Sequence, residues 1–182
     1  MSISNRALHP VVLWGMGAIL AFIGRGIYRL SEVAWELTSG RSLSALEWGF
    51  LLVWSGFMVY SEGYKGFHKA FSPRVVLRLH LLAERATPFW AVLAPVVGMG
   101  LLRATRKRLI VSWCLVLGIV ALVLFISRLS YPYRSIIDLG VVLGLSAGSA
   151  SLLYHYVLAL RGHLPSMEAD MTGMEEAPTK AA

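Results

Sequence analysis

The sequence predicts an all-α integral membrane protein, a polytopic helix bundle. Five apolar stretches of 17 to 22 residues contain almost no charged side chains, and short basic segments separate them. A helix needs roughly 20 apolar residues to cross the hydrocarbon core of a bilayer. Unpaired backbone groups are costly in lipid, so such stretches should be helical. Hydrophobic residues make up 57% of the 182 positions, which leaves no stretch for a soluble domain.

This composition predicts one membrane bundle over residues 1–164 and a disordered acidic tail over 165–182. The bundle should contain four transmembrane helices, a fifth short apolar segment that is re-entrant or spanning, and one amphipathic surface helix. The predicted bounds are about 10–30, 43–61, 109–127 and 137–160 for the spans, 86–102 for the apolar segment and 74–86 for the surface helix.

The first two spans carry helix-start signals. Pro10 suits the first turn of a helix because its missing N–H would be unpaired there anyway. Ser44 and Glu47 have the spacing of a capping box at the start of the second span. The capping box therefore explains why a charged residue, Glu47, lies in this apolar span, and no role in transport is needed. Residues 61–71 alternate aromatic side chains with glycine and lysine, and we expect an interfacial connector there.

The segment 74–86 has the pattern of a basic amphipathic helix. Arg74, Arg78 and Arg85 share one narrow stripe, and the apolar residues lie on the opposite side. Helices of this kind lie in the headgroup region, and each near-surface cation contributes about 1 kcal/mol with anionic lipid. We therefore expect these arginines to bind anionic lipid. The alternative is a helix packed on the bundle, with its leucines buried by protein.

Charge distribution favours four crossings over five. If 86–102 does not cross, one side of the membrane carries 12 Lys and Arg residues and the other carries 5. If it crosses, the two sides are nearly equal. Cytoplasmic loops are enriched in Lys and Arg, so the positive-inside rule predicts four spans with both termini cytoplasmic. Arginine outnumbers lysine 13 to 4, which indicates a GC-rich bacterial genome and hence a bacterial inner membrane.

The last span has the most specific packing signal. Gly140, Gly144, Gly148 and Ser151 lie on one helix face, and His155 extends it. Two overlapping G-x-x-x-G steps allow another backbone to approach closely. The partner could be another helix of this chain, a second copy in a homo-oligomer, or a larger membrane protein. The sequence leaves these alternatives open.

Charged residues near the end of the first span form a second candidate. Arg25, Arg29, Glu32 and Glu36 share one face, as a polar seam that lines a cavity or as a helix leaving the membrane with paired charges. Arg25 lies deepest. In a small channel or transporter, Arg25 and His155 would be the pathway groups.

Known catalytic signatures are absent from the sequence. There is no nucleophile elbow, zinc-protease motif, Gly-rich phosphate loop or C-x-x-C. Bis-histidine haem ligation would need two histidines on facing helices, and only His9 and His155 suit this, so no cofactor is predicted. The basic residues behind the net charge of +7 lie between the spans. The positive-inside rule accounts for them there, so they do not indicate nucleic-acid binding. We expect a non-enzymatic accessory, scaffold or assembly factor whose partners are lipids and membrane proteins; the alternative is a small channel or transporter.

Overall fold

The structure, a computed structural model, describes residues 3–40, 42–85 and 87–171, and every regular element in these ranges is helical. The predicted all-α fold is therefore confirmed there. In chain order the elements are α1 (Ile3–Ala7), α2 (Pro10–Ala34), α3 (Glu36–Ser39), α4 (Ala45–Met58), a π-helical segment (Val59–Phe71), α5 (Ser72–Arg85), α6 (Pro88–Val92), α7 (Ala94–Gly98), α8 (Arg106–Ile126) and α9 (Tyr133–Leu160).

Three helices in the described ranges are long and apolar enough to cross a membrane. They are Pro10–Ser39, Leu109–Ile126 and Tyr133–Leu160, and they cover three of the predicted spans. The predicted span 43–61 does not form such a helix by itself, because the α-helix there ends at Met58 and continues as the π-helical segment. The fold thus includes membrane-type helices at both ends of the chain.

Local sequence explains where α2 and α4 begin. Pro10 occupies the first turn of α2, and the His9 ring accepts a hydrogen bond from the Val11 N–H at 3.3 Å. Before α4, Ser44 Oγ accepts from the Glu47 N–H at 3.4 Å, while Glu47 Oε2 accepts from the Ser44 N–H at 2.8 Å. The predicted capping box is present, and it satisfies two N–H groups at the helix start.

From α4 to α5 the chain is helical without interruption, so the predicted connector at 61–71 is wrong. This stretch contains glycine and polar residues that disfavour a helix by themselves. Its Gly63, however, is buried against Ala147 of α9, and an added Cβ there would lie 2.8 Å from the Ala147 Cβ. Packing against α9 therefore overrides weak helix propensity.

The glycine face of α9 receives large side chains from this long helix. An added Cβ at Gly140 would lie 2.4 Å from Trp54 Cδ1, and one at Gly148 would lie 2.5 Å from Phe67 Cγ. Between them, an added Cβ at Gly144 would lie 3.2 Å from a backbone oxygen of the same helix. The predicted close approach is thus made within the chain, along most of α9.

Helix α5 packs on protein through its apolar side. Val75, Val76, Leu79 and Leu82 are fully buried in a cluster with residues of α2, α7 and α9. The expectation that this side enters the headgroup region is therefore wrong. Amphipathicity is the same for a helix that covers a bundle and one that lies on lipid, so the pattern alone did not distinguish them. Residue 86 of the predicted surface helix lies outside the described ranges.

The apolar segment 86–102 does not form one continuous helix. Helices α6 and α7 are separated at Leu93, and Pro95 follows at the start of α7, where its missing N–H is tolerated. The segment packs on α2, since Trp14 Nε1 donates to the Val92 carbonyl at 3.1 Å and Gly98 lies against Ile19. It then turns at Gly100, which has φ of +76°.

The two ends of the bundle are defined by contacts between distant parts of the chain. At one end, which we call the terminal end, Tyr156 near the end of α9 donates to the Ala7 carbonyl at 3.0 Å. At the opposite end, Ser135 Oγ donates to Glu36 Oε2 at 3.3 Å. Helices α2 and α9 therefore run antiparallel over the whole bundle.

The start of the predicted disordered tail is packed on the terminal end. The Thr105 N–H donates to the Asp170 carbonyl at 3.0 Å, and Met171 forms an isolated bridge with Ala104. The first residues of the predicted tail therefore contact the bundle at Asp170 and Met171, and the disorder of the tail stays a prediction. Residues 172–182 lie outside the described ranges.

Replacing Gly148 with leucine should lower the thermal stability of the purified protein in detergent. The new side chain would overlap the Phe67 ring, and overpacking costs about 1–3 kcal/mol. Gly17→Leu is the matched control, since Gly17 is exposed on α2 and has open space around its Cβ position. Equal melting temperatures for both variants would contradict the packing of α9 described here.

Candidate functional site

The most developed site is a groove between the π-helical segment and α9, which we call the aromatic groove. It is open and has a volume of about 360 Å³. Small residues and aromatic rings line it together: Val59, Gly63, Tyr64, His68, Ala147, Ala150, Ser151 and Tyr154. The small residues Gly63, Ala147 and Ala150 let the two helices approach each other. The rings of Tyr64, His68 and Tyr154 border the groove that is left between them.

His68 is the central polar residue of this groove. Its Nδ1 lies 3.1 Å from the hydroxyl oxygen of Ser151, which is 7% exposed. The backbone carbonyl of His68 accepts a hydrogen bond from His155 Nε2 at 3.2 Å, and the two imidazole rings are 5.1 Å apart. His155 is thus oriented by the neighbouring helix, while His68 Nε2 has no partner among the described residues.

Aromatic contacts extend from His68 along the outer surface of the π-helical segment. The Tyr64 ring stacks on His68 with centroids 5.7 Å apart, and Tyr154 lies 5.7 Å away on the other helix. The ammonium groups of Lys65 and Lys69 lie over the tyrosine rings of this segment, at 5.0 and 4.9 Å from the centroids. Cation–π attraction of this kind places both lysines along the helix surface.

Of the residues predicted to matter, the structure brings Ser151 and His155 to this groove region and leaves Arg25 elsewhere. Arg25, Arg29 and Glu32 are exposed on α2, and Glu36 is exposed at the start of α3. Within this predicted polar seam, Glu36 reaches another element through its hydrogen bond with Ser135. The seam therefore lies on the outside of the bundle, which matches a helix leaving the membrane better than a cavity lining.

The histidine pair considered for haem is not formed. His9 accepts a hydrogen bond at the start of α2, whereas His155 contacts His68. The contact between His68 and His155 could have been predicted from the small residues that allow their two helices to approach. It was missed because the sequence predicted a connector at 61–71, where the structure has a helix. Among the described residues, no group of three or more His, Cys, Asp or Glu side chains could bind a metal ion.

Two of the arginines predicted to bind lipid instead bind the protein. Arg78 is 1% exposed, and its guanidinium donates to the Ala169 carbonyl at 2.7 Å and the Gly98 carbonyl at 3.3 Å. Arg74 forms an ion pair with Asp170 at 3.3 Å. The carbonyls and carboxylate of the chain thus contact these guanidinium groups, and Arg78 is not accessible to headgroups. The side chain of Arg85 lies outside the described part of the structure.

His80 lies on the same side of α5 and is also buried. It donates from Nδ1 to the Val76 carbonyl at 2.8 Å. Burial lowers the pKa of His80, since the imidazolium would lose its hydration, and this effect exceeds the opposite one of the hydrogen bond to Val76. At Arg78 and His80, therefore, the polar side of α5 also faces protein.

The structure also reveals an acidic residue that the sequence did not single out. Glu62 lies beside Gly144, with its Oε2 buried and without a hydrogen-bond partner in the described residues. Carboxyl groups at such depth in membrane bundles are frequently functional. The sequence predicts a connector at Glu62 because the apolar stretch ends at Ser61. If the helix continues, Glu62 shares a face with Met58, four residues earlier, and this spacing could have predicted its position.

No known protein family, curated protein or solved structure matches this chain. Function therefore has to be inferred from the geometry of the chain itself. Its main features are the aromatic groove, the buried Arg78, the carboxyl of Glu62 and the exposed helix α8.

Replacing Arg78 with methionine should release residues 165–171 from the bundle, because the two carbonyls would lose their donor. A spin label at Ser166→Cys, in a Cys114→Ser background, measures this as increased nitroxide mobility. Arg29→Met is the control, since Arg29 is exposed on α2. An unchanged spectrum in folded, monodisperse Arg78→Met protein would show that Arg78 does not fix this segment.

Proposed function

We propose that this protein is a non-enzymatic accessory, scaffold or assembly factor of a bacterial inner membrane, and that α8 is its docking helix. One observation carries the proposal. Helix α8 is long and apolar enough to cross a membrane, yet among its described side chains only Ser112 and Ile126 are buried, and its contacts with the other described elements are sparse. Large apolar side chains are exposed along both of its sides, among them Ile110, Trp113, Leu117, Val120, Leu124 and Phe125.

The composition of α8 suits association with another membrane helix. Lipid tails are as apolar as leucine, so helices associate in membranes through close packing rather than hydrophobic burial. Cys114 and Gly118 are small residues four positions apart, the spacing that permits close approach. Cys114 is exposed, and the Gly118 Cβ position has open space around it. The partner is a second copy of this chain or another membrane protein.

The transport alternative has less support. Its pathway required Arg25 and His155 to share a passage, but Arg25 is exposed on α2. It lines neither the aromatic groove nor a second open groove of about 320 Å³. This second groove, beside Leu37, Trp48 and Leu139, is mostly apolar. Such a surface is better suited to lipid or a helix than to a hydrated substrate.

Our proposed topology has four crossings and both termini in the cytoplasm. The fourth crossing is 45–71, which runs along α9 from Trp54 to Phe67. Segment 88–100 would enter from the terminal end and return, as its break at Leu93 and turn at Gly100 suggest. The contact between Ala7 and Tyr156 supports an even number of crossings, because the start of α2 and the end of α9 then share one end of the bundle.

Reporter fusions at Ser2 and at Lys180 should both report a cytoplasmic location. The excess of Lys and Arg on that side predicts the orientation of the protein in the membrane. The contact between Ala7 and Tyr156 predicts an even number of crossings. A third fusion after Ser127 should report the periplasm, because α8 would have crossed by then. Signals from opposite sides at Ser2 and Lys180 would contradict the four-crossing topology.

Oxidation of native membranes should cross-link the protein through Cys114, the single cysteine of the chain. A homodimer or one discrete heavier adduct is expected, and Gly118→Leu should abolish it by preventing close approach. The control is Cys114→Ser with Val120→Cys, which moves the thiol to another exposed side of α8. Equally weak cross-linking at both positions would show that α8 faces lipid, and would refute the docking proposal.

A further inference from the structure

The aromatic groove has the features of a site for a planar ring. Gly63, Ala147 and Ala150 contribute little side-chain volume, while the rings of Tyr64 and Tyr154 both contact His68. Aromatic rings favour offset or edge contacts with other rings. A volume of about 360 Å³ is at the small end of the range for ligand sites, so it suits one ring with substituents.

The polar pair in the groove can bind an oxygen atom in two hydrogen-bonding states. When the Ser151 hydroxyl donates to His68 Nδ1, the imidazole carries its proton on Nε2 and can donate it to a carbonyl. In the other tautomer, Nδ1–H donates to Ser151 and Nε2 accepts from a hydroxyl. The pair therefore matches a ring oxygen that alternates between carbonyl and hydroxyl, which is the difference between a quinone and a quinol.

The groove is also open to an apolar surface on α9. Tyr154 is 53% exposed, and Leu153 and Val157 are exposed beside it. Such a surface can contact the isoprenoid tail of a lipid-soluble ligand. Lysine and arginine are absent from the lining of the groove, and the nearby ammonium group of Lys69 is engaged by the Tyr64 ring. An uncharged head group therefore fits the groove better than a phosphate.

We propose that the aromatic groove binds the head group of a membrane quinone. His68 Nε2 hydrogen-bonds one ring oxygen while Ser151 sets the tautomer of His68, the ring lies against Ala147 and Ala150, and the tail follows the exposed surface of α9. The site does not depend on α8, so it stands or fails separately from the docking proposal.

Equilibrium binding of a radiolabelled short-chain ubiquinone to the full-length protein in zwitterionic nanodiscs tests the proposal. We expect saturable binding above the partition of the quinone into empty nanodiscs. Ala150→Phe should abolish it, because the new ring would fill the groove. Ala121→Phe is the matched control, an exposed alanine on α8 far from the groove in sequence and structure, and it should bind as the wild type does.

A second variant tests the hydrogen bond rather than the space. His68→Phe keeps an aromatic ring but removes the ring nitrogens, and should weaken binding about tenfold, as the loss of one good hydrogen bond does. Binding that never exceeds partition, or that Ala150→Phe and Ala121→Phe reduce equally, would overturn the proposal. So would displacement of the quinone by phosphatidylglycerol but not by an unlabelled short-chain quinone, which would identify a phospholipid site.

Discussion

The close approach of the long helix 45–71 to α9 is the constraint on which the rest of this structure depends. Gly140, Gly144 and Gly148 remove side chains from one face of α9, and the opposing helix fills that space with Trp54 and Phe67. In lipid this packing cannot rely on hydrophobic burial, so the shape of the contact determines its strength. The π-helical segment lies along this contact. Its hydrogen bonds to the fifth residue widen the helix, and the widening changes which residues face α9.

A buried cation organises the terminal end in a similar way. Arg78 joins three parts of the chain that are far apart in sequence: α5, the end of α7 and the segment around Ala169. Its neighbour Gly100 must lack a side chain, because an added Cβ there would lie 2.2 Å from a guanidinium nitrogen. A buried charge is tolerated only when polar groups surround it, and here backbone carbonyls provide them. The arginine thus explains why 88–100 can turn back within the bundle and why the segment around Ala169 lies against it.

These two contacts leave distinct surfaces for function. The glycine face is covered by the chain itself, so association with other proteins has to use another surface. Helix α8 is the long apolar helix whose described side chains are mostly exposed. The aromatic groove is a by-product of the same small residues that bring the helices together. Its polar residues, His68 and Ser151, come from different helices and meet only because that contact is close.

The sequence by itself determined the helical membrane class, the starts of α2 and α4 and the packing role of Gly140, Gly144 and Gly148, since these follow from hydrophobicity, capping and side-chain size. The partner of the glycine face, the burial of Arg78 and the pairing of His68 with His155 were decided by tertiary structure. Each depends on which surfaces meet, and an amphipathic or small-residue pattern is the same whether its partner is lipid, another copy or the same chain. The unbroken helix through 61–71 was hidden for the same reason, because its weak local propensity is compensated only by contact with α9.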